Sequence, residues 1–405
     1  MADRRVRAGL ILLPLALGWA AAAYFLWQSR VPSDLSIPHV AAGEILDGRE
    51  LERARDYERF LRWDFLASQL AVLVVFAAYA RYGHRFMRES AAGRIGTGML
   101  LAMLGFAILW LVQLPFGLAD LWWQRRHGVS FSGYEEWILD NWLALGGEFL
   151  FVCLAILIVM GLAGVFRRLW WIPGGAVFVG LATLFAFLLP YLIPDQTNLR
   201  DAALRADAEE LARAEGLAEA PPVRVQAVRG FTTAPNAEAA GLGPSTRIIL
   251  WDTLLDGRFE RPEIRVVLAH ELGHISRDHI WMSIGWYALF AFPGAFLIAV
   301  ATRRRGGMRE AEAVPLSLFV LVLLTFLALP LQNVITRHLE TEADWVALET
   351  TRDPAAARAL FRRFSTTALS DPSPPTWSYV LMETHPTIAQ RIAMAEAWEA
   401  RRGRR

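Results

Sequence analysis

Not one lysine occurs in the 405 residues; all 41 basic side chains are arginine, which we read as the coding bias of a GC-rich genome rather than as chemistry. Cysteine is almost missing too. The single Cys153 lies in an apolar run, so no intrachain disulfide can form. Charge of either sign is scarce, at 20% of residues, and nearly balanced, with a formal net charge of +1. That balance leaves no basic footprint for nucleic acid. Internal repeats are absent, and the one Pro/Ser/Thr-rich stretch is short (371–376), which excludes solenoids and long flexible linkers. What fills the chain is apolar. Hydrophobic residues make up 55%, with 16 Trp and 23 Phe, and the mean hydropathy is +0.31. This is no disordered chain, coiled coil or collagen-like fibre; it is the composition of a multi-pass membrane protein.

Seven apolar stretches approach the roughly 20 residues that a membrane helix needs, at 8–27, 63–80, 97–118, 149–166, 169–193, 281–301 and 313–331. Their interiors are free of charge except at the extreme ends, as the cost of a charge in lipid requires. Trp27, Trp122, Trp123, Trp170, Trp171 and Trp281 fall at the edges, like an aromatic belt. The first stretch follows Arg4, Arg5 and Arg7 and ends in Tyr24-Phe25-Leu26-Trp27, which reads as an uncleaved anchor rather than a signal peptide. The chain then divides into a membrane region with five spans (1–193), a polar segment (194–280), spans six and seven (281–331) and a helical C-terminal segment (332–405). In the second part we expect a helix over 198–215, then strands and turns, then a further helix. Arg401, Arg402, Arg404 and Arg405 make a basic tail that solvent or lipid headgroups can face. Arginine counts near the spans, thirteen on one side against eight on the other, put the catalytic segments outside the cytoplasm by the positive-inside rule.

One motif carries chemistry. His270-Glu271-Leu272-Gly273-His274 lies on a helix that opens near Pro262-Glu263. Positions i and i+4 share a helix face, so both imidazoles can reach one metal ion, with Glu271 beside them to take a proton from the attacking water. Catalytic zinc needs a third protein ligand and an open position. Glu340 is the candidate. Glu342 competes with it, but points about 160° away around the helix. Asp344, one turn beyond Glu340, could bond the back of a ligand imidazole or a leaving amine. His274 precedes Trp281 by seven residues, about 10 Å of continuous helix, and Glu340 follows Leu331 by nine, about 13 Å. Both ligand helices are therefore expected to extend spans six and seven, with the metal close to the lipid interface. Residues 236–241 and 246–251 read as a hairpin closed by Leu242-Gly243-Pro244-Ser245, whose exposed edge could bind an extended peptide as an added strand. His385, ahead of Pro386, is expected to cap a helix running through Arg391 to Arg401. It could also donate to an oxyanion, with Arg391 as a supporting ion-pair partner.

His270–His274 followed by Glu340-x-x-Ala343-Asp344 resembles the type I CAAX prenyl endopeptidases, integral-membrane zinc proteases. Asn236-Ala237, the segment from Arg247 to Leu255, Leu114-Pro115 with His127-Gly128, Asn333, Arg337, His385-Pro386 and Arg391 also match motifs of that family. Leu114-Pro115 and His127-Gly128 correspond to its loop between the third and fourth spans. The resemblance covers most of the chain. It implies one Zn2+ per chain held by His270, His274 and Glu340, with Glu271 as general base and Asp344 as proton donor or support for a ligand. It adds His385 to the catalytic set, and Asn236, Ala237 and Arg391 to the substrate-binding one. It also implies a barrel-like bundle enclosing a chamber, and a cytosolic site in eukaryotic relatives. Glu238 and Asp278 depart from the family pattern.

The expected fold is thus a multi-pass α-helical membrane protein of seven spans with a mainly helical zinc-metallopeptidase part carrying a small β-sheet. The expected function is hydrolysis of membrane-associated, lipidated or misfolded proteins, in a bacterial inner membrane, with membrane lipids as surroundings and no nucleic-acid partner. A metalloprotease-like sensor would need an extra sensor domain. A non-catalytic scaffold would have no use for Glu271.

Overall fold

The computed structural model describes residues 2–87 and 92–403, and their side chains from 13 to 86 and from 92 onward. Arg4, Arg5 and Arg7 of the anchor reading, and Arg404 and Arg405 of the tail, have side chains outside this set. Helix α1 (Ala2–Leu26) and the short α2 (Ala42–Ile45) lead into four long helices: α3 (Gly48–Tyr82), α4 (Gly93–His127), α5 (Tyr134–Phe166) and α6 (Trp171–Leu192). Strand β1 (Gln196–Asn198), α7 (Ala202–Ala214), β2 (Val223–Gln226), β3 (Ala237–Ala240) and β4 (Arg247–Trp251) follow. The chain closes with α8 (Arg261–Ser276), α9 (His279–Thr302), α10 (Val314–Thr351), α11 (Pro354–Ala368), α12 (Thr376–Leu381) and α13 (Ile388–Gly403).

Among the described residues, six helices are long and apolar enough to cross a membrane: α3, α4, α5, α6, α9 and α10. The described side chains of α1 make only a shorter apolar helix, Leu13–Leu26, so the expected seventh span is not established here. Trp27, just past α1, stacks on His338 of α10 with ring centroids 4.0 Å apart. Helix α3 shows how far these helices leave the apolar zone. Its first turns are charged, and Asp47 caps them by accepting from the N–H groups of Arg49 and Glu50 at 2.9 Å each. Pro115 lies inside α4, not in a loop as its likeness to the family's third loop implied. His127 does close that helix, with Gly128 at φ 75° supplying the left-handed residue that ends it.

The sheet has the order β1-β2-β4-β3, with β2 and β4 parallel and the outer pairs antiparallel. Ile248, Ile249 and Leu250 of the inner strand β4 are fully buried. Strand β3 is an edge, and β3 with β4 is the expected hairpin. Trp251 donates its backbone N–H to the Asn236 carbonyl at 2.9 Å. In an antiparallel ladder such pairs alternate, so Ala237 and Ala239 turn their N–H and C=O groups to the open side. The helix expected over 198–215 is shorter. Asn198 belongs to β1, and Asp201 caps α7 by accepting from Ala203 and Leu204.

Two helices bring the motif residues together. Ala343 of α10 is fully buried, and a Cβ at Gly273 of α8 would stand 3.4 Å from the Ala343 Cα. Such small residues let the two backbones approach closely. Helix α10 runs unbroken for 38 residues, so Glu340 does stand on the continuation of the last span. Helix α8 does not continue into α9. It stops at Ser276, and Asp278 adopts φ 56° before α9 begins. The expected continuous helix from His274 to Trp281 is therefore replaced by a sharp turn. The loop after α4 joins the membrane helices to the sheet region, with Phe131 N–H on the Phe231 carbonyl (2.8 Å) and Thr233 N–H on that of Val129 (3.0 Å).

Candidate metal centre

A cavity of about 330 Å³ opens between the edge strand and helices α8, α9 and α10. His270, Glu271, His274, Glu340, His385, Asn236 and Ala237 all line it, so seven of the nine residues singled out in the sequence meet in one place. Nε2 of His270 and Nε2 of His274 stand 3.1 Å apart. The Glu340 carboxylate is 3.2 Å from the first and 3.3 Å from the second. Three ligands at about 2.0–2.1 Å from a tetrahedral ion would be separated by about 3.3 Å. Among the described residues, the buried Glu340 Oε2 has the His270 and His385 ring nitrogens near it, at 3.2 Å each, but no partner in hydrogen-bond geometry, an arrangement that a cation would relieve. The donor set, two imidazoles and a carboxylate, suits zinc. The residues fit.

Behind His270, the Asp344 carboxylate accepts from Nδ1 at 2.9 Å. Arg391 donates to both oxygens of that carboxylate, at 2.8 and 2.6 Å, and its guanidinium lies over the Phe361 ring. Neither Asp344 nor Arg391 lines the cavity. Arg391 thus pairs with the buried Asp344 outside the cavity lining, each charge balancing the other. Glu342 is fully buried on the other side of α10 and does not face the two Nε2 atoms; its contacts are Arg277, the Arg30 backbone and His279.

Burial lowers the His274 imidazole to about 3, leaving the neutral ring that a metal needs. For His270 burial acts the same way, but the Asp344 and Glu340 carboxylates outweigh it and carry that ring up to about 10. Burial pushes the Glu271 carboxyl up to about 7, against the pull of His270 and of the Ala239 N–H that donates to it. Glu238, beside it on β3, is likewise raised by burial.

The segment carrying His385 is clamped to α10. Arg337 donates to the Tyr379 carbonyl at 2.8 Å and lies over the Tyr379 ring, and Asn333 donates to the Val380 carbonyl at 3.2 Å. His385 keeps Nε2 3.2 Å from Glu340 Oε2, while its Nδ1 meets the Thr384 hydroxyl at 3.0 Å. It does not cap α13. Thr387 and Gln390 do so, through reciprocal side-chain bonds to each other's backbone N–H. The sequence reading gave no role to His279, which lines the cavity and contacts His274. The residue spacing offered no signal for it, since the contact depends on the turn at Asp278.

The profile of peptidase family M48 matches residues 198–399. The metalloprotease YhfN of Bacillus subtilis is 25% identical over 94% of this chain and 97% of its own length. A protease HtpX homologue of Acidiphilium cryptum is 32% identical over 47% of this chain and 71% of its own. A CAAX prenyl protease 1 homologue of Arabidopsis thaliana is 26% identical over 72% of each chain. Among solved structures, Ste24p of S. mikatae superposes with a TM-score of 0.71 at 19% identity, covering 94% of this chain and 96% of that one.

Proposed function

We propose that the chain, which belongs to peptidase family M48 and is a membrane metalloendopeptidase, works with one zinc ion held by His270, His274 and Glu340. The observation that carries this reading is the ligand spacing of 3.1–3.3 Å with Glu271 beside it in one cavity. Bound there, zinc would polarise the scissile carbonyl and make water easier to deprotonate. Glu271 takes the proton of the attacking water and passes it to the leaving nitrogen. Its burial suits the task, since desolvation brings its basicity near neutral pH. The open N–H and C=O groups of Ala237 and the carbonyl of Ala239 hold the substrate backbone as an added strand, while the Ala239 N–H serves Glu271 and Asn236 stands at the strand entrance. His385 donates to the oxyanion formed at the carbonyl carbon. Asp344 orients His270, and Arg391 keeps Asp344 ionised.

Substrates on this reading are membrane-associated, lipidated or misfolded proteins, because a strand edge reads backbone rather than sequence. The site stands on the extension of span α10, which brings it near the lipid interface. With α1 counted as a span the protein crosses the membrane seven times, and its Bacillus relative favours a bacterial inner membrane. A second cavity, of about 390 Å³, lies among α3, α4 and α5 and contains Asp64, Gln113, Asp120, Asn141 and Glu148. Leu61, Phe65, Trp110 and Trp137 line it as well, and it supports the reading of a chamber within the helices. The deciding experiment measures metal content and casein or peptide hydrolysis by the purified protein in detergent. About one zinc per chain with hydrolysis abolished by a chelator is the expected result. A zinc-free, folded chain that still cleaves would overturn it.

A further inference from the structure

His279 follows His274 by five residues, and on an unbroken helix that separation would place the two rings about 140° apart around the axis. They touch instead. Helix α8 ends at Ser276, and Asp278 at φ 56° reverses the local path before α9 starts. Aspartate is among the few residues that tolerate this region. The turn brings Nδ1 of His279 to 2.9 Å from Nδ1 of His274, with the rings edge to face at 4.9 Å. On its far side, Nε2 of His279 is 3.4 Å from Oε2 of Glu342. Both residues are shut off from solvent, at 2% and 0% exposure. The other oxygen of Glu342 accepts from Arg277 Nε at 2.8 Å and from the Arg30 backbone N–H at 2.9 Å.

Hydrogen-bond chemistry assigns the protons. A His274 ring that presents a bare Nε2 to a cation carries its proton on Nδ1 and donates it to His279. His279 must then accept at Nδ1, so its own proton sits on Nε2, aimed at Glu342. Glu342 only accepts. Each link has one proton and one direction.

We propose that His279, held by Glu342, is a positioning residue that fixes the ring orientation and tautomer of His274. The two imidazole ligands are then supported differently: His270 by a carboxylate directly, His274 by a carboxylate acting through a second imidazole. Outer partners of this kind typically change metal affinity by about 10–100-fold when removed. The proposal rests on the reading of His270, His274 and Glu340 as the metal ligands.

Two variants of equal polarity separate positioning from mere folding. His279→Asn puts an amide oxygen where Nδ1 was and can still accept from His274. His279→Gln puts its amide where Nε2 was, keeping a donor for Glu342 but leaving His274 without an acceptor. Zinc affinity of the full-length protein in detergent is read by competition with a chromophoric chelator, and ligand geometry by the visible absorption of the Co2+-loaded protein. His279→Gln should bind zinc about 10–100-fold more weakly and alter the Co2+ spectrum. His279→Asn should stay within a few-fold of the natural chain and keep its spectrum. Equal affinity in all three proteins overturns the proposal, and so does an equal loss in both variants, since a merely structural residue would not discriminate between them. His270→Ala serves as the control: if it retains zinc, the ligand assignment itself fails.

Discussion

Arg391 and Asp344 form a two-pronged buried ion pair, at 2.8 and 2.6 Å, directly behind the first histidine of the motif. Removing the guanidinium would leave a carboxylate buried without its counter-charge, a change that typically costs about 3–5 kcal/mol. Arg391→Met should therefore lower the thermal midpoint and weaken zinc binding. KM for a peptide, measured on zinc-loaded enzyme, should not change, because Arg391 does not line the cavity. A raised KM at unchanged stability would instead make Arg391 a substrate contact.

Glu271→Gln should keep zinc and fold but lose activity by about 10²–10⁴-fold, the usual effect of losing a general base. The readout is turnover per bound zinc. Wild-type turnover at full occupancy would mean that water is activated by another group. In the natural enzyme the base must be ionised, so activity should fall as the pH drops below about 7, with the bound cation drawing that limb lower.

Zinc affinity should depend on pH with the sign set by His270. In the metal-free protein that ring holds a proton up to about 10, whereas His274, at about 3, is already neutral. Binding at pH 7.5–9, above the range in which Glu271 titrates, therefore displaces one proton, and the association constant should rise about tenfold per pH unit. Titrations at three pH values in a non-coordinating buffer test this. A slope of two protons would show that both imidazoles start protonated.

Glu340→Ala should abolish zinc binding, while Glu342→Ala should leave a weakened but stoichiometric site. Metal analysis after dialysis discriminates between them. The reverse result would exchange the roles of the two glutamates.

His385→Ala should retain zinc and lose kcat by about 10²–10³-fold if its donor serves the oxyanion. Loss confined to KM would make it a substrate contact, and loss of zinc would make it part of the metal site.

Several features were legible because they depend on short-range periodicity. A spacing of four residues puts His270 and His274 on one helix face whatever surrounds them. The apolar lengths of α3 to α6, α9 and α10 are properties of the sequence that suit helices crossing a membrane. The Gly243-Pro244 turn ahead of the β-prone run 247–251 predicts the hairpin of β3 and β4, although 237–240 is itself poor in strand formers. The resemblance to a family added His385, which lies in a loop with no periodic pattern.

Other features needed the tertiary structure. Glu340 and Glu342 sit on one helix two residues apart, and nothing local distinguishes a ligand from a buried anchor. Their facing was decided by how α10 packs on α8, where Gly273 and Ala343 allow close approach. The reading of one continuous helix through His274 failed because Ser276-Arg277-Asp278 contains no Gly or Pro to signal a break. Aspartate can take the left-handed turn, yet gives no sign in sequence that it does so. The sequence by itself determined a membrane protein with two imidazoles and a carboxylate base on one helical face, since composition and helical period are properties of the chain alone. Only the tertiary structure set the 3.2 and 3.3 Å at which the expected Glu340 stands from the two rings, chose for Asp344 the back of His270 among the roles the sequence left open, and put His279 behind His274, because those contacts span between 5 and 74 residues and arise from a turn and a helix crossing.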